Sequence, residues 1–81
     1  MSIIRIKAVK EITGHKSHAS IYQQIKELTF TKPVLIGRRS VGWPEYEVKA
    51  IVNARIQGKN ENELRLLVQK LHSDRQQIGQ V

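Results

Sequence analysis

Apolar residues recur along this chain in short bursts whose spacing changes between helical and strand periods, with glycine, proline and small polar residues between them. Ile3, Ile4 and Ile6 around Arg5 are β-branched and predict a short strand. Lys7 to Thr13 then reads as a short helix with Val9 and Ile12 inward, closed by Gly14, which takes the left-handed conformation a helix end needs. The polar turn Gly14-His15-Lys16 leads to Ser17, whose hydroxyl can accept a bond from a free N–H of the next first turn. The following helix runs to Leu28, with Ile21, Ile25 and Leu28 at i, i+4 and i+7 as one buried stripe. Its other faces carry His18, Ser20, Gln23, Gln24 and Lys26, side chains that exchange hydrogen bonds and carry no negative charge. Two short helices joined by so brief a turn make a helix-turn-helix, whose second helix is the reading one.

Val34-Leu35-Ile36 and Val41-Gly42-Trp43 are β-prone runs on either side of Gly37-Arg38-Arg39-Ser40, which predicts a β-hairpin with a doubly cationic tip. Pro33 stands where proline is tolerated, at a strand edge. Trp43, the only tryptophan, is expected to plug the core at the hairpin's base rather than to stack on a base. Pro44 suits the first turn of a third helix, and Glu45 and Glu47 suit its positive end. Tyr46, Val48, Ile51, Val52 and Ile56 are its apolar positions, and Gly58 ends it. A last helix from Glu61 to about Ile78 places Leu64, Leu67, Val68 and Leu71 at i, i+3, i+4 and i+7, with Leu66 left over on another face. The fold class is therefore mainly α with a small β-hairpin wing: a winged helix-turn-helix over residues 1–58, plus a C-terminal helix over 59–81. That helix either packs on the rest or mediates self-association through Leu64, Leu67 and Leu71.

Charge gives this architecture a direction. The net charge is +7, and residues 1–44 hold eight Lys/Arg against two Glu, whereas residues 45–81 hold six against five acids. Positive charge gathered in one half points to a polyanion partner for that half, and double-stranded DNA fits a helix-turn-helix. Gln23, Gln24, His18 and Ser20 are expected to face base edges in a major groove, where amides pair with adenine. Lys16, Ser17, Tyr22 and Lys26 are expected to hold the backbone, with Arg38, Arg39 and Ser40 on the wing. A membrane-surface helix is disfavoured because the basic residues are spread over several short elements. RNA is disfavoured because Tyr22, Phe30, Trp43 and Tyr46 do not share one strand.

Other chemistry finds little support. There is no cysteine, which excludes disulfides and thiolate metal sites and suits a cytoplasmic, nucleoid-associated setting. No apolar run has the length of a membrane span. His15 and His18 straddle a turn and a cap with no third ligand nearby, so no metal or other cofactor is expected. No phosphate-binding glycine loop or nucleophile motif occurs, and the chain reads as a non-enzyme.

Several of these segments resemble one known group. Phe30-Thr31-Lys32-Pro33, Ile36-Gly37-Arg38-Arg39 and Val41-Gly42-Trp43 followed by Glu47-Val48 are similar to the AlpA family of prophage regulators. So are Ile6-Lys7-Ala8-Val9, Thr13-Gly14 and Ser20-Ile21-Tyr22, and the likeness covers about residues 5–56. It implies a small winged-helix protein related in fold to MerR-type domains and phage excisionases. The implied function is transcriptional regulation of integrase or excision genes; the alternative is a recombination directionality factor that binds and bends attachment-site DNA. A third reading, independent of the family, is a protein-interaction module docking on an acidic partner. The chain departs from the family pattern at Thr31, where proline is usual, at Gln23, where a basic residue is usual, in a longer turn before Ser17, and in lacking an aromatic near Ile51.

Overall fold

A computed structural model describes residues 2–78, with side chains through Gln76. The elements run β1 (Ile3–Ile4), α1 (Ile6–Thr13), α2 (His18–Lys26), β2 (Val34–Leu35), β3 (Val41–Pro44), α3 (Glu45–Ile56) and α4 (Glu61–Ile78). The strands form one antiparallel sheet in the order β1-β3-β2, with Ile3 opposite Pro44, Ile4 opposite Trp43, and Val34 opposite Gly42. The architecture is winged-helix-like: α1 and α2 joined by a turn, the β2–β3 hairpin as the wing, and two further helices.

Local chemistry places most boundaries. Gly14 closes α1 at φ +79°, its N–H donating to the Lys10 carbonyl (2.9 Å). Ser17 caps α2 from extended backbone, its Oγ accepting from the Ser20 N–H (3.2 Å). Asn60 and Glu63 cap α4 reciprocally: the Glu63 N–H donates to Asn60 Oδ1 (2.9 Å), and the Asn60 N–H to Glu63 Oε1 (3.3 Å).

Two boundaries differ from expectation. Ile6 opens α1 and packs against the core instead of extending β1, because Arg5 is the last extended residue. Leu28 does not join the Ile21–Ile25 stripe; it stands 56% exposed at φ +65°. The Leu28 N–H donates to the Ile25 carbonyl (3.1 Å) and the Thr29 N–H to that of Gln24 (2.9 Å), so α2 ends in a Schellman turn with leucine where glycine is usual. Gly58 ends α3 with the same pair of bonds, to Arg55 and Ala54. In α3 itself, Ile56 is 77% exposed and does not contribute to the interior.

The core is one cluster of Val9, Ile21, Phe30, Trp43, Val48, Ile51, Val68 and Leu71, so every helix contributes to it. Trp43 sits at its centre, fully buried, with Nε1 donating to the Thr31 carbonyl (2.9 Å). The Thr31 hydroxyl, where the family pattern has proline, is buried with no partner. Leu64 and Leu71 are buried and Leu67 is partly buried against the core, so Leu64 and Leu71 face their own core rather than a second chain. The apolar surface of Leu64 and Leu71 is already removed from water within one molecule, whereas Leu67 is partly buried and also borders an open groove.

Close approach in the sheet explains Gly42. A Cβ there would stand 2.6 Å from Ile3 Cγ2 and 2.9 Å from the Ile4 carbonyl oxygen. Since backbone cannot yield as a side chain does, Gly42→Ala is expected to destabilise by about 2 kcal/mol. Thermal melts check this, and an unchanged midpoint would contradict the packing of β1 over β3.

Helix α4 is fastened by polar contacts as well as by its apolar stripe. Glu47, fully buried on α3, accepts from Arg75 Nε (2.7 Å) and Nη2 (2.5 Å), and Nη2 also donates to the Lys32 carbonyl (2.8 Å). The Lys32 N–H donates to His72 Nε2 (3.2 Å), and Arg65 Nε donates to the Glu27 carbonyl at the end of α2 (3.1 Å). Burial, and then the neighbouring Arg75 and Lys32 cations, hold the His72 pKa below its ordinary 6.5. The folded protein therefore binds this proton less readily than the unfolded chain. The stabilisation is complete above the ordinary value and is lost as pH falls through the folded one. His72→Gln keeps an acceptor without the titration, so its stability is expected to fall less than the parent's as pH drops from neutral to well below the ordinary histidine value. Urea titrations across that range compare the two, and parallel curves would contradict the placement of His72.

Candidate nucleic-acid interface

Helix α2 is amphipathic because Ile21 and Ile25 face the core and everything opposite them is polar or small. Ala19, Tyr22, Gln23 and Lys26, at i, i+3, i+4 and i+7, are all exposed and form its outer face. Lys16, Ser17 and His18 are exposed at its start. The hydroxyls of Ser17 and Ser20 lie 3.1 Å apart and serve the cap, so Ser20, half-buried, turns towards Ser17.

Gln24 is placed differently from its neighbours. Half-buried, it donates from Nε2 to His15 Nε2 (2.8 Å) and accepts at Oε1 from Arg55 Nη2 (2.9 Å). Its amide is engaged inside the molecule, tying the turn before α2 to the end of α3, instead of lying open on the outer face as its sequence position implies. The residues that engage it, His15 and Arg55, are nine and thirty-one positions away, and no local pattern signals the pairing. Ala19 also went unmarked by sequence reasoning, although the outer-face spacing includes it. A methyl there lets backbone approach a groove closely and can meet a thymine methyl.

The wing tip presents Arg38 and Arg39 to solvent, and the Ile36 N–H donates to the Ser40 carbonyl (2.9 Å) to close the loop beneath them. Ser40 is half-buried in that closure. The wing and α2 share one anchor. The Tyr22 ring meets Trp43 edge-on with centroids 6.2 Å apart, and Trp43 lies on β3 at the wing's root. The relative position of α2 and the wing is therefore fixed by packing on a buried indole.

The ion pairs divide the chain sharply. The four ion pairs among the described residues use Lys49, Lys59, Arg65 and Arg75, all in the second half. None of the eight Lys/Arg in residues 1–44 makes one. These eight include Lys16 and Lys26 on α2 and Arg38 and Arg39 on the wing. Solvated cations that no carboxylate neutralises project a positive potential from the half that carries α2 and the wing. Among the described residues there is no group of three His, Cys, Asp or Glu placed to hold a metal, and no helix long and apolar enough to cross a membrane.

The family model described as Prophage CP4-57 regulatory protein (AlpA) matches residues 2–56. The chain belongs to the AlpA family. No match was found among curated proteins or among solved structures. The AlpA match runs from β1 through α3, so it contains the helix-turn-helix, the wing and Trp43. Helix α4 lies beyond it. The contacts of Arg65, His72 and Arg75 with the end of α2 and with Lys32 show what this added helix does: it braces the AlpA part from both sides of Thr29-Phe30-Thr31.

Proposed function

We propose that this AlpA-family regulator binds double-stranded DNA sequence-specifically, with α2 in the major groove and the Arg38–Arg39 tip on the adjoining backbone or minor groove, and so controls prophage genes. The carrying observation is the set of unpaired cations on the half that also holds α2 and the wing. Gln23, at the middle of the outer face, is the residue to read a base edge, with Ala19 beside it and His18 at the helix start. Lys16, Lys26, Arg38 and Arg39 supply charge for phosphates, and Tyr22 supplies a hydroxyl. Ser17 and Ser20 support this as cap residues that fix the helix start, and Ser40 by closing the loop under the arginines. Gln24 supports it indirectly, by holding the turn to α3.

With about six phosphates contacted, log affinity falls against log salt with a slope near −5. A titration of binding to duplex DNA measures the slope, and a value near zero contradicts the electrostatic contribution. Gln23→Ala is expected to weaken binding to the preferred site by about tenfold, within the range of one bidentate base contact, while leaving binding to random duplex unchanged. Competition between the two duplexes reads the difference directly. Equal losses on both would assign Gln23 to the backbone instead.

A further inference from the structure

Leu66 is used neither by the core nor by the DNA-reading elements. It stands 64% exposed on α4 while Leu64, Val68 and Leu71 are buried. It lines an open groove of about 420 Å³ between α3 and α4, with Leu67 beside it, the small Ala50 and Ala54 across from it, and Lys59 and Glu63 at one end. Lys70 and Asp74 continue the same side of α4, three and seven residues beyond Leu67, and neither makes an ion pair among the described residues.

The charges on this side are arranged about a centre. Outward from the midpoint of Leu66 and Leu67, Glu63 stands opposite in sign to Lys70 at equal distance along the helix, and further out Lys59, just before the helix start, is opposite in sign to Asp74. An antiparallel copy of the same helix centred there sets Leu66 against Leu67, Glu63 against Lys70, and Lys59 against Asp74, each contact occurring twice. A parallel copy sets like charges together. We propose that the α3–α4 groove is an isologous homodimer interface with its two-fold axis between Leu66 and Leu67. Net charge favours this face over the basic one that carries α2 and the wing. Two copies at +7 repel each other, but residues 61–78 carry three acids and three bases and are neutral. The Lys59–Glu63 contact within one chain, 3.5 Å between half-exposed groups, does not prevent Glu63 from meeting a second cation. Alanines on the α3 wall leave room for the leucine of the second copy.

The test is sedimentation equilibrium of the full chain from ~1 µM to ~1 mM. The mass is expected to rise from 9.3 kDa towards twice that value. Leu66→Glu is expected to weaken the dimer by about a hundredfold, as substitution at the centre of an interface does, with an unchanged melting curve at concentrations where both proteins are monomeric, because Leu66 is exposed. Lys70→Glu is expected to weaken it about tenfold, by setting two carboxylates together across the axis, and Lys70→Gln to weaken it less. A parent mass of 9.3 kDa at every concentration overturns the proposal. A dimer indifferent to Leu66→Glu overturns the surface, and one as tight with Lys70→Glu as with the parent overturns the antiparallel register.

Discussion

Arg75→Met is expected to lower the stability of this protein by about 3 kcal/mol or more, even though residue 75 lies nineteen positions beyond the family match. The reason is what it leaves behind. Glu47 is fully buried, and its carboxylate accepts two bonds from the one guanidinium. Without Arg75 that carboxylate is an unpaired charge out of reach of water, and the Lys32 carbonyl loses a donor as well. In a domain of this size the melting temperature falls by roughly 12 °C or more. Glu47→Leu is expected to cost less, since Arg75 is partly exposed and its guanidinium can turn to solvent. The double substitution recovers much of the loss, because both charges then leave the interior together. Thermal or urea melts of the three variants decide it. An Arg75→Met protein as stable as its parent would contradict the burial of the pair.

Replacing both wing arginines by alanine is expected to weaken DNA binding by about 60-fold in ~0.1 M salt and about 20-fold in ~0.2 M, if each arginine meets one phosphate. The deficit shrinks with salt because the variant's slope is shallower by about 2. The loss is expected on specific and random duplex alike, unlike that of Gln23→Ala. Arg38 and Arg39 are exposed and make no ion pair among the described residues, so the fold is expected to be unaffected and a melt serves as control. Fluorescence anisotropy at the two salt concentrations measures both the loss and its salt dependence. Unchanged affinity would remove the wing from the interface.

Much of this was legible from short-range chemistry. Gly14, Ser17 and the Gly37–Ser40 loop act within a few residues, so their roles can be read where they stand, and the wing and the first two helices follow from them. A lone tryptophan after a β-prone run also identified itself as core. What stayed hidden depends on groups distant in the chain. Glu47 reads locally as an acid at a helix start, and only Arg75, twenty-eight residues on, makes it the buried half of an ion pair. Gln24 reads as one more amide on a polar face until the fold brings His15 and Arg55 to it. The periodicity of Leu64, Leu67 and Leu71 is the same whether the stripe meets its own core or another chain, so the pattern gave the buried face without its partner. Leu28 misled for a different reason: its spacing continues the stripe, but α2 ends before it in a turn that glycine usually signals and leucine here does not.

The most direct measurement is footprinting of the purified full chain on DNA flanking its own gene and the nearest integrase gene. An α2-and-wing reader predicts discrete protection, lost when Arg38 and Arg39 are both replaced and less sharply confined to one sequence when Gln23 is replaced. Absence of protection anywhere, with a sample that melts cooperatively, would contradict DNA recognition by this surface and turn attention to an acidic protein partner for the same cations.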